Sequence, residues 1–240
     1  MIDIHCHILP GVDDGSKTWD STITMCEQAV KDGVSHIIAT PHANFRYSFN
    51  REHHEQLLQE LRLRVPRLRF SLGCDFHLSS ENVDDAVGNP RRYTIGNSPY
   101  LLVEYSDYVT KHTATDPIRR LLGAGMIPII THPERNPLLL RHLDIVEALV
   151  ALGSLVQITA NSLTGFWGST SKKAGMHLIK NRLAHFIASD AHDVRRRTTV
   201  LSEGLKVATS LLGSTEANRL VRDNPTKVVS ADLVAQPTRH

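Results

Sequence analysis

Short apolar runs alternate with longer amphipathic segments along most of this chain. Most of the apolar runs are continuous, which is typical of strands that are buried on both faces of a parallel sheet. They predict strands at Met1–His5, Val34–Thr40, Leu68–Cys74, Tyr100–Glu104, Ile127–Thr131, Leu155–Thr159 and Ala184–Ser189. The chain is therefore expected to contain a mostly parallel sheet.

Amphipathic segments with helical spacing lie between these runs. The first begins near Ser16, and Gly33 lies just past its end, where helices often have a glycine. Its apolar positions at helical spacing are Trp19, Ile23, Cys26 and Val30. Further helices are predicted at Glu52–Val65, Asp116–Ala124, Leu138–Leu152, Ser171–Asn181, Thr198–Leu212 and Thr215–Asp223.

This succession of β–α units predicts an α/β fold in the form of an incomplete or distorted (β/α) barrel. An open doubly wound sheet is the alternative. No flexible linker, low-complexity tract or fixed-period repeat divides the sequence, so residues 1–240 are expected to form a single domain. The residues after about Pro225 are expected to be a short C-terminal extension that packs poorly at its end.

Composition and charge narrow the classes of partner and compartment. The net charge of +2 gives no strong positive field for nucleic acid, and no apolar run approaches the length of a membrane span. A cleaved signal peptide would remove His5 and His7, which are candidate metal ligands, so we expect none. The three cysteines form no Cys-x-x-Cys motif or disulfide framework. The expected location is the cytoplasm. A homo-oligomer is possible, but no pattern in the sequence determines the oligomeric state.

Side chains that bind metals stand at the ends of nearly all the predicted strands. His5 and His7 close the first strand, and strand alternation places them on the same side. In a (β/α) barrel the carboxyl ends of the strands meet at one rim, where such enzymes have their active sites. The candidate metal ligands at these ends are His5, His7, Asp14, His42, Asp75, Glu104, His132, Asp190 and His192.

This set has more ligands than a single ion needs, since ions take about four to six ligands. It predicts two to three divalent ions, and nitrogen and oxygen donors without sulfur suit manganese, iron, zinc or cobalt. Such ions would hold a bridging hydroxide and bind phosphoryl oxygens. Arg135 and Arg197 are the candidate phosphate ligands. His42 and His192 are candidates to protonate the leaving oxygen.

Some of these residues have a structural interpretation as well. Asp13 and Asp14 precede Gly15 and are compatible with a turn and a helix cap, a role that we assign to Asp13 while Asp14 is assigned to the metal. The run Arg195–Arg197 is compatible with a solvated helix start.

Thiol-based phosphatase chemistry is excluded. It needs an arginine six positions after the cysteine, and the residues there are Val12, Asp32 and Ser80. No glycine-rich phosphate loop of the Walker type occurs either.

The motifs "DIHCHILPGVDDG", "ATPH", "LLVEYS", "THPER", "QITANSLTG", "IASDAH" and "RDNP" resemble those of the bacterial PHP-type protein-tyrosine phosphatases that are encoded with capsule and exopolysaccharide genes. The resemblance extends from Met1 to about Val229. It implies a distorted (β/α)7 barrel with several metal ions, often manganese. It also implies a phosphotyrosine substrate, usually the tail of a bacterial tyrosine kinase that controls polysaccharide synthesis.

The family's functional residues carry over onto this sequence with one departure among the ligands. Its substrate-binding arginines carry over onto Arg135 and Arg197. Its metal ligands carry over onto His5, His7, Asp14, His42, Glu104, His132, Asp190 and His192. Asp75 stands where the family has a metal-bridging glutamate, and Cys6 stands where serine is common. We expect Asp75 to remain a ligand, because the other ligand positions are intact.

The leading hypothesis is therefore a metal-dependent hydrolase of phosphotyrosine. Another PHP phosphoesterase, acting on a small phosphate such as histidinol phosphate, is the first alternative. A non-catalytic metal-binding regulator is the second. An amidohydrolase is disfavoured, because Glu104 stands where such an enzyme usually has a bridging lysine.

Overall fold

The computed structural model describes residues 1–235, in which helices and parallel strands alternate. The strands are β1 (Ile2–Cys6), β2 (His36–Ala39), β3 (His42–Ala43), β4 (Arg69–Leu72), β5 (Asp75–His77), β6 (Tyr100–Glu104), β7 (Ile127–Thr131), β8 (Leu155–Thr159) and β9 (Phe186–Ala188). The helices are α1 (Trp19–Lys31), α2 (Arg51–Arg64), α3 (Ser80–Gly88), α4 (Pro90–Tyr93), α5 (Asp116–Gly123), α6 (Leu143–Ala151), α7 (Ala160–Thr164), α8 (Gly168–Lys180), α9 (Ser202–Leu212), α10 (Ser214–Asn218) and α11 (Asn224–Ser230). A π-helical turn, Arg219–Asp223, joins α10 to α11.

The strand pairs of residues 1–235 are parallel and form two sheets, which confirms the predicted α/β class. One sheet has the order β1-β2-β4, and the other has the order β3-β5-β6-β7-β8-β9. The chain passes from the first sheet to the second at two places, since β3 follows β2 and β5 follows β4 after short breaks. The strands β3 and β5 thus extend two of the predicted strands beyond their expected ends.

The breaks have local causes. Pro41 has no N–H to donate to a ladder, while its carbonyl accepts the N–H of Asp75 at 3.1 Å. Gly73 still donates its N–H to the carbonyl of Ala39 at 2.8 Å, so the lost ladder bond is the one that Pro41 cannot donate. The chain therefore changes sheets at positions where regular pairing is interrupted, and it carries His42 and Asp75 into the second sheet.

The first strand also meets the segment that follows the last strand. The carbonyl of His5 accepts the N–H of Asp190 at 2.8 Å, and the N–H of His7 donates to the carbonyl of Ala191 at 2.9 Å. Cys6 and Ala191 form a parallel bridge. Residues from the two ends of the sequence are thereby placed side by side.

Two apolar clusters lie on opposite faces of the larger sheet. Tyr100 and Leu102 of β6 belong to a small cluster, whereas Leu101 and Val103 belong to a large one that includes residues of the helices. Glu104 continues the alternation of Tyr100 and Leu102 at the end of the strand. The smaller cluster therefore lies below the carboxyl ends where the predicted ligands stand.

Several helix boundaries differ from the predictions. The helix α6 begins at Leu143 rather than Leu138, because the side chain of Asn136 accepts the N–H groups of Leu138 and Leu139 and holds them in a turn. The helix α9 begins at Ser202, so a helix start at Arg195–Arg197 is wrong. The helices α3, α4, α7 and α11 were not predicted.

The first part of the C-terminal extension packs on the sheet. The hydroxyl of Tyr100 donates to the carbonyl of Asp232 at 2.7 Å and accepts the N–H of Val234 at 2.9 Å. The end of the extension, residues 236–240, lies outside the described residues. Among residues 1–235, no helix has both the length and the apolar character needed to cross a membrane.

Candidate metal centre

The nine predicted metal ligands lie together at the carboxyl ends of the strands. Within residues 1–235 their donor atoms form four overlapping groups, and all donor atoms of one group lie within 4.8 Å of one another. The groups are His7, Asp14, His42 and His192; His5, His7 and Asp75; His5, His132 and Asp190; and His42, Asp75 and Glu104. Residues that are far apart in the sequence thus form one continuous cluster.

His5 and His7 lie at the centre of the cluster and are held by oxygen acceptors behind them. Their Nε2 atoms are 3.2 Å apart. Nδ1 of His5 lies 3.0 Å from Oε1 of Gln157, and Nδ1 of His7 lies 2.8 Å from Oδ2 of Asp13. An acceptor at Nδ1 places the proton there and leaves Nε2 as a lone-pair donor for a cation. Both rings are therefore oriented for metal binding.

Asp13 has a larger role than the sequence predicted. Its Oδ1 accepts the N–H of Gly15 at 2.8 Å, which confirms the turn. Its helix-cap role is wrong, because Thr18 caps α1. The sequence gave no sign that Asp13 would bind His7. Gly15 is required in this turn, since an added Cβ would lie 2.3 Å from the carbonyl oxygen of His7.

Asp75 lies between three imidazoles and is almost completely buried. Its Oδ2 is 3.1 Å from Nδ1 of His42, 3.5 Å from Nε2 of His5 and 3.9 Å from Nε2 of His7. Neither oxygen accepts a hydrogen bond of good geometry from residues 1–235. A buried carboxylate without hydrogen bonds is costly unless a cation compensates its charge. The residues present therefore fit a bound metal.

The other ligands complete the cluster from strand ends that turn sharply. Glu104 is 3.7 Å from Nε2 of His132 and 4.0 Å from Nδ1 of His42, and burial together with the charge of Asp75 raises its pKa. His132 has a φ of +33° and Asp190 a φ of +50°. Residues other than glycine rarely adopt this left-handed region, and such strain concentrates at functional sites.

The carboxylates give the cluster a strong attraction for positive charge. Burial alone would lower the pKa of His5, but the charges of Asp75 and Asp190 outweigh it and raise the pKa to about 9. Burial would also lower the pKa of His42, yet the nearby carboxylates of Asp14 and Asp75 raise it to about 11. Protons or metal cations can supply the positive charge that these carboxylates attract.

Both predicted phosphate-binding arginines contact the cluster through Asp190. Oδ1 of Asp190 is 3.5 Å from Nε2 of His5 and 3.5 Å from Nε2 of His7. Its Oδ2 accepts hydrogen bonds from Nη1 of Arg135 and from Nη2 of Arg197, the latter at 2.6 Å. One carboxylate therefore joins the imidazoles to the guanidinium groups.

A cavity of about 340 Å³ opens beside these residues. Its lining residues are Glu104, Tyr105, Asp107, His132, Arg135, Asn136, Trp167 and Ser171. Two candidate metal ligands, Glu104 and His132, line it together with Arg135, and metal ions and arginines are the groups that bind a phosphate monoester. His42 and His192, the predicted proton donors, do not line this cavity. Nδ1 of His192 donates to the carbonyl of Asp190 at 3.0 Å.

Three residues of the site were missed from the sequence. Gln157 interrupts the apolar run Leu155–Thr159, and this interruption was a usable signal. Asp13 was assigned only to a turn. Trp167, which lies between α7 and α8, gave no signal, because a single aromatic residue between two helices is common in a protein core.

A family model and curated relatives of this chain identify the same protein family. The family described as capsular polysaccharide synthesis, CpsB/CapC, matches residues 1–230. The tyrosine-protein phosphatase YwqE of Bacillus subtilis is 36% identical over 220 residues, which cover 89% of this chain and 86% of that protein. The tyrosine-protein phosphatase CpsB of Streptococcus pneumoniae is 25% identical over 247 residues, with 98% and 100% covered.

Solved structures are similar over the whole chain. A crystal structure from work on YwqE of Bacillus subtilis and CpsB of Streptococcus pneumoniae, described as unique metal-dependent tyrosine phosphatases, has a TM-score of 0.87, 31% identity and complete coverage of both chains. The histidinol phosphate phosphatase of Lactococcus lactis has a TM-score of 0.60 and 15% identity, and it covers 88% of this chain and 93% of its own. At that identity the second likeness concerns the fold alone.

Proposed function

This chain belongs to the CpsB/CapC family of capsular polysaccharide synthesis, and we propose that it acts as a metal-dependent tyrosine-protein phosphatase through the cluster at its strand ends. The enzyme hydrolyses the phosphate ester of phosphotyrosine. The observation that carries this assignment to particular residues is the meeting of nine ligand-type side chains with two arginines beside one cavity.

We propose that two to three divalent ions are held by the nine ligands. The overlap of the four groups supports more than one ion, because His5, His7, His42 and Asp75 each belong to two groups. Manganese is the proposed metal, with iron, zinc or cobalt as alternatives. When bound, such ions activate water as a nucleophile and neutralise charge on phosphoryl oxygens.

The arginines have the complementary role of binding the phosphate. Arg135 lines the cavity, and Arg197 reaches the same oxygen of Asp190. Two planar guanidinium groups can donate several hydrogen bonds to phosphoryl oxygens. Charge that develops on these oxygens in the transition state is stabilised most by donors that are already in position.

Other residues of the chain orient the ligands and exclude water. Asp13 and Gln157 accept from the Nδ1 atoms of His7 and His5 and keep their Nε2 atoms directed at the cluster. We propose His42 or His192 as the group that protonates the tyrosine oxygen as it leaves. Nδ1 of His192 donates to the carbonyl of Asp190, so His192 acts as this acid when its Nε2 carries a second proton.

We also propose a protein substrate, a closed barrel and a cellular location. A bacterial tyrosine kinase is the proposed phosphoprotein substrate, since the family is one of capsular polysaccharide synthesis. The bridge between Cys6 and Ala191 supports a distorted (β/α)7 barrel closed between β1 and β9. The three buried free cysteines support a location in the reducing cytoplasm.

The test is a comparison of substrates and metals on the purified protein. We expect chelated protein to be inactive and manganese to restore hydrolysis of a phosphotyrosine peptide. Hydrolysis of histidinol phosphate should be slower by a large factor. A preference for histidinol phosphate would contradict the tyrosine-phosphatase assignment, and full activity in the chelator would contradict its metal dependence.

A further inference from the structure

Trp167 contacts both arginines of the site. Cζ of Arg135 lies 4.0 Å from the centroid of the Trp167 ring, and Cζ of Arg197 lies 5.6 Å from it. Both distances are within the range of about 6 Å over which a cation is attracted to an aromatic face. A single indole is therefore shared by the two guanidinium groups that are proposed to bind phosphate.

The indole is itself held in place by its neighbours. Its Nε1–H donates to Oδ1 of Asn161 at 2.8 Å, and the ring of Phe166 meets it edge-on at a centroid distance of 5.1 Å. Phe166 in turn lies 5.8 Å from the guanidinium of Arg196. The indole of Trp167, which lines the cavity, is thus held from two directions.

The two partners of the arginines differ in what they do to charge. Asp190 accepts from Arg135 and Arg197 through one oxygen, and its negative charge compensates theirs. Asp190 also belongs to a group of candidate metal ligands. An aromatic face attracts a guanidinium without carrying a net charge. Arginines held on Trp167 therefore keep their positive charge for an anionic ligand.

From this arrangement we propose that Trp167 is the positioning residue that holds Arg135 and Arg197 together so that both contact one phosphoryl group. The inference rests on the proposed function and extends it. Trp167 lines the same cavity as Arg135, Glu104 and His132, so its position is set relative to the cluster as well. It acts through the arginines.

The chain contains a matched control for this interaction. The centroid of its other tryptophan, Trp19 on α1, lies 4.4 Å from Cζ of Arg64. Arg64 also pairs with Glu60 and is half-exposed, and this group is separate from the cluster described above. Trp19→Leu removes the same kind of interaction without touching the cavity.

The experiment measures the affinity of the manganese-loaded protein for inorganic phosphate by calorimetry and kcat/KM for a phosphotyrosine peptide. Trp167→Leu should weaken phosphate binding and lower kcat/KM by about 5- to 30-fold, because each desolvated cation–π contact corresponds to about that range. Trp167→Phe retains an aromatic face and should stay within about threefold of the wild type. Trp19→Leu should leave both quantities unchanged, and metal content should be equal in all variants.

Equal losses in Trp167→Leu and Trp167→Phe would overturn the proposal, since they would indicate a packing role without a need for an aromatic face. Unchanged phosphate affinity in Trp167→Leu would overturn it as well. A double variant, Trp167→Leu with Arg135→Ala, should lose less than the sum of the two single losses. Wild-type protein that binds phosphate but hydrolyses no phosphotyrosine peptide would contradict the proposed function, while the ranking of phosphate affinities would still test Trp167.

Discussion

The imidazole–carboxylate cluster and the arginine–tryptophan group face the same cavity but are built in different ways. The cluster is formed by residues at strand ends, and its positions are set by the register of parallel strands, as in the pairing of His42 with Asp75. The arginines and Trp167 lie on connecting segments, and the arginines are positioned by side-chain contacts with Trp167 and with Asp190. The first region therefore depends on the fold, whereas the second depends on side-chain interactions. The two can be disrupted separately.

Removal of Asp75 should have the largest effect. Asp75→Ala leaves several imidazoles and cations without a compensating carboxylate, and we expect loss of metal together with a fall in kcat/KM of about 10³-fold or more, since a metal supplies several kcal/mol of transition-state stabilisation. Metal analysis and kinetics on the same preparation provide the measurement. Asp75→Glu, which keeps a carboxylate at this position, is the matched control and should keep the metal. Unchanged metal content in Asp75→Ala would show that Asp75 is not a ligand.

Removal of Arg135 should lower the rate while leaving the metal in place. We expect Arg135→Ala to reduce kcat/KM by about 10²- to 10³-fold, the usual effect of deleting one positioned donor. Arg135→Lys keeps the charge but loses the planar fork and should be intermediate. A loss below about threefold, far under that scale, would exclude Arg135 as the phosphate ligand. Metal loss in Arg135→Ala would mean that the two regions are not independent.

Substitution of Asp13 tests whether the acceptor at Nδ1 of His7 orients this ligand toward the cluster. Asp13→Asn removes the charged acceptor at Nδ1 of His7, and substitutions of this kind typically weaken metal affinity by about 10- to 100-fold. We expect a higher manganese concentration for half-maximal activity, with kcat largely recovered at saturating metal. Asp20→Asn, an exposed position on α1, is the control. A lower kcat at every manganese concentration would indicate a direct part in catalysis instead.

The cysteines should have the smallest effect. Cys6, Cys26 and Cys74 are buried and free, and burial raises the pKa of each thiol, so none is present as a reactive thiolate. Replacing all of them by alanine should keep kcat/KM within about twofold, provided that the protein folds. Near-complete inactivation by a thiol reagent with the metal still bound would contradict this expectation.

The two regions also differ in how well the sequence predicts them. The bounds of β6, β7 and β8 agree with the predicted strands, because continuous apolar runs form strands that are buried on both faces. Most of the ligands follow from the predicted strands, since they stand where a strand ends, whereas Asp14 lies in the turn between β1 and α1. Asp13, Gln157 and Trp167 act through tertiary contacts, which a single sequence does not contain. The late start of α6 likewise depends on one side-chain bond of Asn136.

Because β1 meets the segment after β9, the cluster links the two ends of the chain in addition to being a chemical site. Asp3 and Ser189, which bond to each other just beneath the ligands, are 186 residues apart in the sequence. A cation shared by His5 and Asp190 would cross-link nearly the whole chain, and ligands that bind only the folded state stabilise it by mass action. Metal supply would then govern how long the folded molecule survives, in addition to how fast it turns over substrate. Starvation for the ion would shorten the lifetime of the enzyme itself.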